Sequence, residues 1–243
     1  MIKKGLPLAL VLALGLALGV GGTAAAQEPR VELRGKITPK KLPKKKFRNV
    51  QLFSSVGHDN ADGSPGVPKP TRALRIDFGK NLRFRPNRPR KCGANLAGTT
   101  TQQARQLCPA KSIIGQGAAH VRLPGPTNVN DLTTLAIAGP GKNQLRFHAH
   151  SPTLGAGNTQ VILGIVRRNA AGKKFAWRLN VPQVPDILGG TGANTLFGVA
   201  INRKTGVTQA RCRAKRFFWR AQWTFVDDTT KTAARSQRCR RRR

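Results

Sequence analysis

Tyrosine is absent from the 243 residues, methionine occurs once and tryptophan three times. A chain with so few aromatic rings has little to spare beyond its core. That argues against single-strand nucleic-acid recognition, which stacks bases on aromatic side chains. Acidic residues are also scarce: nine Asp and Glu stand against 44 Lys and Arg, a formal charge of +35. Hydrolysis by paired carboxylates needs two acids flanking one bond. Asp227 and Asp228 are adjacent and would point to opposite faces of a strand, while Glu28 and Glu32 sit near the N-terminus. There is no G-x-S-x-G motif for a serine nucleophile and no C-x-x-C pair for zinc. Gly189-Gly190-Thr191-Gly192 lacks the Lys-Ser/Thr that a phosphate-cradling loop requires, so it reads as turn chemistry. These absences point to a non-enzymatic protein with no cofactor.

Long apolar runs are missing except at the start. Lys3 and Lys4 precede an apolar stretch from Leu6 to Val20, and Ala24-Ala25-Ala26 follows. This is the pattern of a secretory signal peptide cleaved after Ala26. An uncleaved anchor is the competing reading, because ~20 residues suffice to span a bilayer, but Gly21, Gly22 and Thr23 dilute the run. The expected mature chain, 27–243, has no transmembrane segment and is secreted or extracytoplasmic. Four cysteines in an exported chain read as two disulfides, with three possible connectivities. The short loops favour Cys92 with Cys108 and Cys212 with Cys239.

Alternation of apolar and polar residues dominates the remainder. Val31, Leu33 and Ile37 define a first strand; Leu74, Ile76 and Phe78 alternate with Arg75 and Asp77; Phe217, Trp219, Ala221, Trp223 and Phe225 share one face of a late strand. A lysine-rich connector, 38–46, contains two prolines and is expected to be extended and solvated. Ile113 to Leu123 is rich in Gly and Ala, the mark of a bulged or closely approached strand. Gly139 to Asn143 and Asn169 to Gly172 each read as hairpin loops. Between the first two cysteines, Thr99 with Gln102 or Thr100 with Gln103 has capping-box spacing, and Pro109 ends a short helix that can turn Ala104 and Leu107 inward. About a dozen strands, one short helix and two disulfides predict an all-β antiparallel sandwich. It forms one domain over 27–239, with a basic C-terminal arm at 240–243.

The order Ile37-Thr38-Pro39, Leu42-Pro43-Lys44-Lys45, Asp62-Gly63 and Ile76-Asp77-Phe78-Gly79-Lys80-Asn81 continues with Cys92 and Cys108 around a Thr-rich helix. Gly189-Gly190-Thr191-Gly192, Ala210-Arg211-Cys212 and Thr224 to Asp228 with a terminal cysteine follow. In this order the chain resembles a group of uncharacterised exported proteins of high-GC Gram-positive bacteria. The resemblance spans nearly the whole mature chain and implies an exported all-β domain without an established activity. The four terminal arginines and the lack of Tyr depart from that group.

Two constellations could hold a metal. His148 and His150 share a strand face and could present two imidazoles to one ion, with His120 as a third ligand, the basis of an alternative reading as a metal-assisted hydrolase. Arg122 and Arg146 share those faces and oppose a dication, so a solvated basic face is expected instead. In Asp59-Asn60-Ala61-Asp62-Gly63, Ala61 stands where a calcium loop needs a donor, so a turn with Asx hydrogen bonds is expected. A structural or adhesive subunit is a further alternative that exposed edge strands would favour.

Charge is the feature that remains. Lys36, Lys40, Lys41, Lys44, Lys45 and Lys46 form one cluster; Arg211, Arg213, Lys215 and Arg216 a second; Arg235, Arg238, Arg240, Arg241, Arg242 and Arg243 a third. Such density steers polyanions by long-range attraction. For an exported chain, the expected partners are anionic envelope glycopolymers or lipid headgroups. Nucleic acid would bind only non-specifically. The candidate contacts are Lys44 to Lys46, Arg211, Arg213 and Arg240 to Arg243.

Overall fold

The computed structural model describes residues 29–64, 66–125, 127–168 and 174–241. The expected signal peptide, the expected hairpin loop at Asn169 to Gly172, Arg242 and Arg243 lie outside the described residues. The early strands are β1 (Arg30–Thr38), β2 (Lys41–Leu42), β3 (Arg48–Asn49), β4 (Gln51–Asp59), β5 (Thr71–Gly79) and β6 (Leu82–Phe84). Helix α1 (Thr101–Leu107) is followed by β7 (Ile113–Arg122), β8 (Asn128–Ala138), β9 (Gln144–His150), β10 (Gln160–Arg168) and β11 (Phe175–Val181). The chain closes with β12 (Ala193–Ile201), β13 (Thr208–Ala210), β14 (Arg216–Phe225), β15 (Thr230–Arg238) and β16 (Arg240–Arg241).

The fold is all-β and antiparallel, as the alternation predicts. Eleven strands form one continuous sheet in the order β1-β4-β12-β7-β8-β9-β10-β11-β5-β14-β15. This sheet curls back on itself into a barrel-like double wall, so its first and last strands meet. The Gln237 side chain on β15 closes the seam, accepting from Ile37 N at 2.7 Å and donating to Ile37 O at 3.2 Å on β1. Gly35 lets β1 lie against β14, since a Cβ there would come within 2.9 Å of the Trp219 ring. Both long edges that could template aggregation are thereby turned toward each other.

One core fills the space between the walls. Phe217, Trp219, Ala221, Trp223 and Phe225 are all at most 1% exposed, which is what period-two alternation on β14 requires. A small sheet, β3-β13-β6, covers one end of the barrel and adds Val50 and Leu82 to this core. The Gly-Ala strand β7 behaves as its composition suggests. Its register with β8 shifts between Ile113 and Gly115 and again between Ala119 and Val121. A Cβ at Gly117 would fall 1.9 Å from Gly198 O, and one at Gly115 2.4 Å from Ala200 O. Both obstacles are backbone, so no side-chain rotation relieves them. Gly117→Ala is therefore expected to cost about 2 kcal/mol, seen as a lower urea midpoint with an unchanged slope. An unaltered midpoint would disprove the close approach of β7 to β12.

Outside the barrel, residues 92–112 fold over β8 and β9. Thr100 supplies the N-cap, accepting from Gln103 N while the Gln103 side chain accepts from Thr100 N, so the second of the two spacings forms the capping box. Ala104 is buried, but Leu107 is 52% exposed, contrary to expectation. With only two turns, the helix turns one narrow stripe inward, and Ala104 occupies it beside the Cys92–Cys108 disulfide.

Candidate functional site: a basic pole

The second disulfide, Cys212–Cys239, lies among three lysine- and arginine-rich segments that are far apart in the chain. Cys212 N donates to Pro43 O at 2.9 Å, Arg240 N donates to Lys40 O at 3.0 Å, and Cys239 N donates to Lys215 O at 2.9 Å. Strand β16 runs parallel to β2, with Arg240 opposite Lys41 and Arg241 opposite Leu42. Arg241 Nη2 donates to Arg213 O at 3.0 Å. Arg240 and Arg241 are thus not a free arm, and the lysine-rich connector is not wholly solvated. The disulfide delivers Cys239 next to a segment whose prolines keep it out of the main ladder but leave the backbone of Lys40 to Leu42 available.

Asn81 organises the neighbouring turn. Its carbonyl accepts from Arg211 N at 3.0 Å, its Oδ1 accepts from Arg213 N at 3.3 Å, and its Nδ2 donates to Arg216 O at 2.8 Å. Phe47 lies under two guanidiniums, with Arg83 at 4.1 Å and Arg211 at 4.5 Å from the ring centroid. Burial, then the positive charges of Arg213 and Arg83, push the Arg211 guanidinium below its ordinary pKa. Like charges are therefore held close enough to oppose one another. Lys44, Lys45, Lys46, Arg213, Arg240 and Arg241 remain exposed. Of the nine named candidates, the structure gathers Lys44 to Lys46, Arg211, Arg213, Arg240 and Arg241, while Arg242 and Arg243 lie outside the described residues.

No acidic residue occurs in 38–50, 80–91, 203–216 or 238–241, the segments that meet at this pole. Asp59, Asp62, Asp131, Asp186, Asp227 and Asp228 instead lie in loops or strand ends at the opposite pole, as the pairing of Arg30 with Asp59 and of Thr224 with Thr230 indicates. Three of them form ion pairs there: Asp59 with Arg122 at 2.6 Å, Asp227 with Lys69, and Asp228 with Arg72. Asp62 Oδ1 accepts from Ser64 N at 2.9 Å, the Asx hydrogen bond expected of that loop. Sequence reasoning found the three clusters but missed Arg83, on β6, and Phe47, which precedes β3; their contact with Arg211 joins segments far apart in the chain and has no local signal.

The histidine face has a different environment from the one expected. His148 is fully buried and His150 is 8% exposed, because residues 92–112 pack over that side of β9. His148 Nε2 lies 3.0 Å from both Thr99 O and Thr99 Oγ1, and Arg146 Nη1 donates to Ala94 O at 2.7 Å. This is a covered structural face, not a solvated one, and the hydrolase alternative would need it open. His120 sits on β7, paired with Leu196. Among the described residues, no three His, Cys, Asp or Glu side chains are grouped to hold a metal. Two disulfides with no free cysteine among the described residues suit an oxidising, extracytoplasmic compartment, and no described helix is long and apolar enough to cross a membrane. Compared with protein-family models and with curated proteins, the chain matches none.

Proposed function

We propose that this protein is exported and binds anionic envelope glycopolymers through the basic pole, without catalysing a reaction on them. The supporting observation is the convergence of Lys40 to Lys46, Arg211 to Arg216 and Arg238 to Arg241 around the Cys212–Cys239 disulfide, with Asp59, Asp62, Asp131, Asp186, Asp227 and Asp228 at the far end and Asp77, on β5, buried and neutralised by Arg178 and Arg220. Random basic composition would scatter charge of both signs over all faces. Here the separation gives the molecule a dipole that orients it toward a polyanion before contact. Phosphate groups along a polymer can bind several exposed Lys and Arg at once. No fixed pocket is required, so base or sugar sequence should matter little.

Duplex DNA serves as a test polymer of known charge density. Each neutralised phosphate steepens the plot of log affinity against log salt by ~0.9. Lys44→Gln, Lys45→Gln and Lys46→Gln together are expected to flatten that plot by up to ~2.7, and Arg240→Gln with Arg241→Gln by up to ~1.8. Arg30→Gln at the opposite pole should leave it unchanged. A salt-insensitive affinity, or equal effects at both poles, would sink the proposal. Stronger retention on vesicles containing anionic lipid than on fractionated cell-wall polymer would redirect it to lipid headgroups.

A further inference from the structure

The barrel encloses a cavity of about 110 Å³ between its two walls. Its sides are apolar, formed by residues such as Leu52, Val56, Ile76, Phe147, Ile162 and Val199. Phe84, from the small sheet beneath the basic pole, forms its floor. At the other end Val184 reaches over it from the segment after β11, tied down by Val184 N donating to Arg72 O at 2.8 Å. Polar groups are few and placed mainly at this second end: His58, Thr71 and Asn194, with Ser54 deeper along β4.

Those polar groups are biased toward accepting hydrogen bonds. Asn194 Nδ2 donates to Gln160 Oε1 at 3.3 Å, but its Oδ1 is out of reach of solvent and has no hydrogen-bond partner among the described residues. Ser54 Oγ also has no partner among the described residues, and as a hydroxyl it can donate as well as accept. His58 Nε2 must carry the proton, because it faces the carbonyl oxygen of Lys69 at 3.0 Å. Its Nδ1 is then an acceptor, met among the described residues by a long 3.5 Å contact from Thr71 Oγ1. A buried acceptor without a donor is costly, and the apolar surface around it offers none. No Lys, Arg, Asp or Glu lines the cavity, so an ionised group would enter without a counter-charge.

We propose that this cavity binds a small, neutral, largely apolar alcohol, whose hydroxyl donates to Asn194 Oδ1 while its hydrocarbon part fills the space between the walls. An apolar cavity of ~150 Å³ accepts benzene, so the space here suits a molecule on the order of six non-hydrogen atoms, or the end of a longer chain. The site is distinct from the basic pole in position and in the chemistry it selects.

The test compares 1-pentanol, hexane and pentanoate, which are close in size and differ in a donor, no polar group and a charge. Binding to the mature, disulfide-intact protein is read from the methyl resonances of Ile162, Val199 and Leu52, which a ligand at the basic pole would not reach. Pentanol should bind about five-fold tighter than hexane, as one net hydrogen bond allows. Pentanoate should leave these methyls unshifted. Asn194→Leu should bring pentanol down to the affinity of hexane. Equal affinities of pentanol and hexane for the native protein, pentanoate shifting the same methyls as strongly, or no response to any of the three would overturn the proposal. Should Asn194→Leu fail to fold, the three ligands on the native protein decide the matter.

Discussion

The double variant Cys212→Ala, Cys239→Ala is expected to lose about 3.5 kcal/mol of stability and to bind polyanions with a salt dependence flatter by ~2 units. The stability figure follows from the sequence separation of 27 residues, since a crosslink restricts the unfolded chain more as the closed loop lengthens. The affinity change has a different origin. Once the disulfide is removed, the chain up to Cys239 keeps its backbone bond to Lys215 O, but β16 beyond it relies on its short pairing with β2 and on the Arg241 contact to Arg213 O, among like charges. Repulsion from Lys41, Arg213 and Lys215 then drives the C-terminal segment away, and Arg240 and Arg241 leave the pole. Replacing Cys92 and Cys108 provides the control. Its separation of 16 residues gives a similar stability loss of about 3 kcal/mol, but that disulfide secures α1 over β9, away from the basic segments. Urea unfolding and DNA titration over a salt series on both variants would separate the two effects. If both variants keep the native salt slope, the disulfide does not assemble the binding surface.

Alternation carried most of the fold. Strands β1, β5 and β14 were readable because one face of each meets a dry core, so Leu74-Ile76-Phe78 and Phe217-Trp219-Trp223-Phe225 recur at period two. The capping box was readable because its two hydrogen bonds depend on residues three apart. Strand β15 was not readable: Thr230 to Arg238 is polar and largely exposed, and it is a strand because β14 offers it a ladder along its full length. The closure of the sheet was equally hidden, since β1 meets β15 through the Gln237 side chain and β14 through the close approach of Gly35 to Trp219, not through a backbone ladder. Burial of His148 and His150 depended on where residues 92–112 lie, a long-range contact that period-two alternation cannot report.

The charge clusters of the basic pole were plain in the sequence, but their union was not. Lys40 and Arg240 are separated by nearly the whole domain, and long-range contacts bring them together: the Gln237–Ile37 seam, the pairing of β16 with β2, and the Cys212–Cys239 disulfide set beside Pro43. The proposed cavity left even less trace. Ser54, His58 and Asn194 occupy inward positions on strands where an apolar residue would pass without notice, and a void between side chains has no linear signature.

Acidification from pH 7 to pH 4 is expected to remove about 3 kcal/mol of stability, most of it through His58. This side chain is 5% exposed, and burial lowers its pKa to about 4 against the opposing pull of the Lys69 carbonyl and the Asp59 charge. The unfolded chain takes up this proton near pH 6.5, whereas the folded chain resists until about pH 4. Stability is therefore full above pH 6.5 and falls as pH drops through that window. His148 acts in the same direction: burial, the largest cause, outweighs the hydrogen bond to Thr99 that opposes it, and the nearby His150 lowers it further. The carboxylates respond only lower. Burial pushes Asp77 up, but hydrogen bonds and charges from Arg178, at 2.7 Å, and Arg220, at 2.6 Å, hold it below the ordinary carboxylate range. Its contribution is present above the unfolded carboxylate pKa and is lost below pH ~4. With four histidines and nine acids in the chain, few other groups can mimic the upper step. Urea midpoints measured between pH 7.5 and pH 3 should fall in two stages. His58→Gln should flatten the upper stage and Asp77→Asn the lower one. A native midpoint that is constant from pH 7 to pH 4.5 would show that His58 is not held neutral inside the barrel.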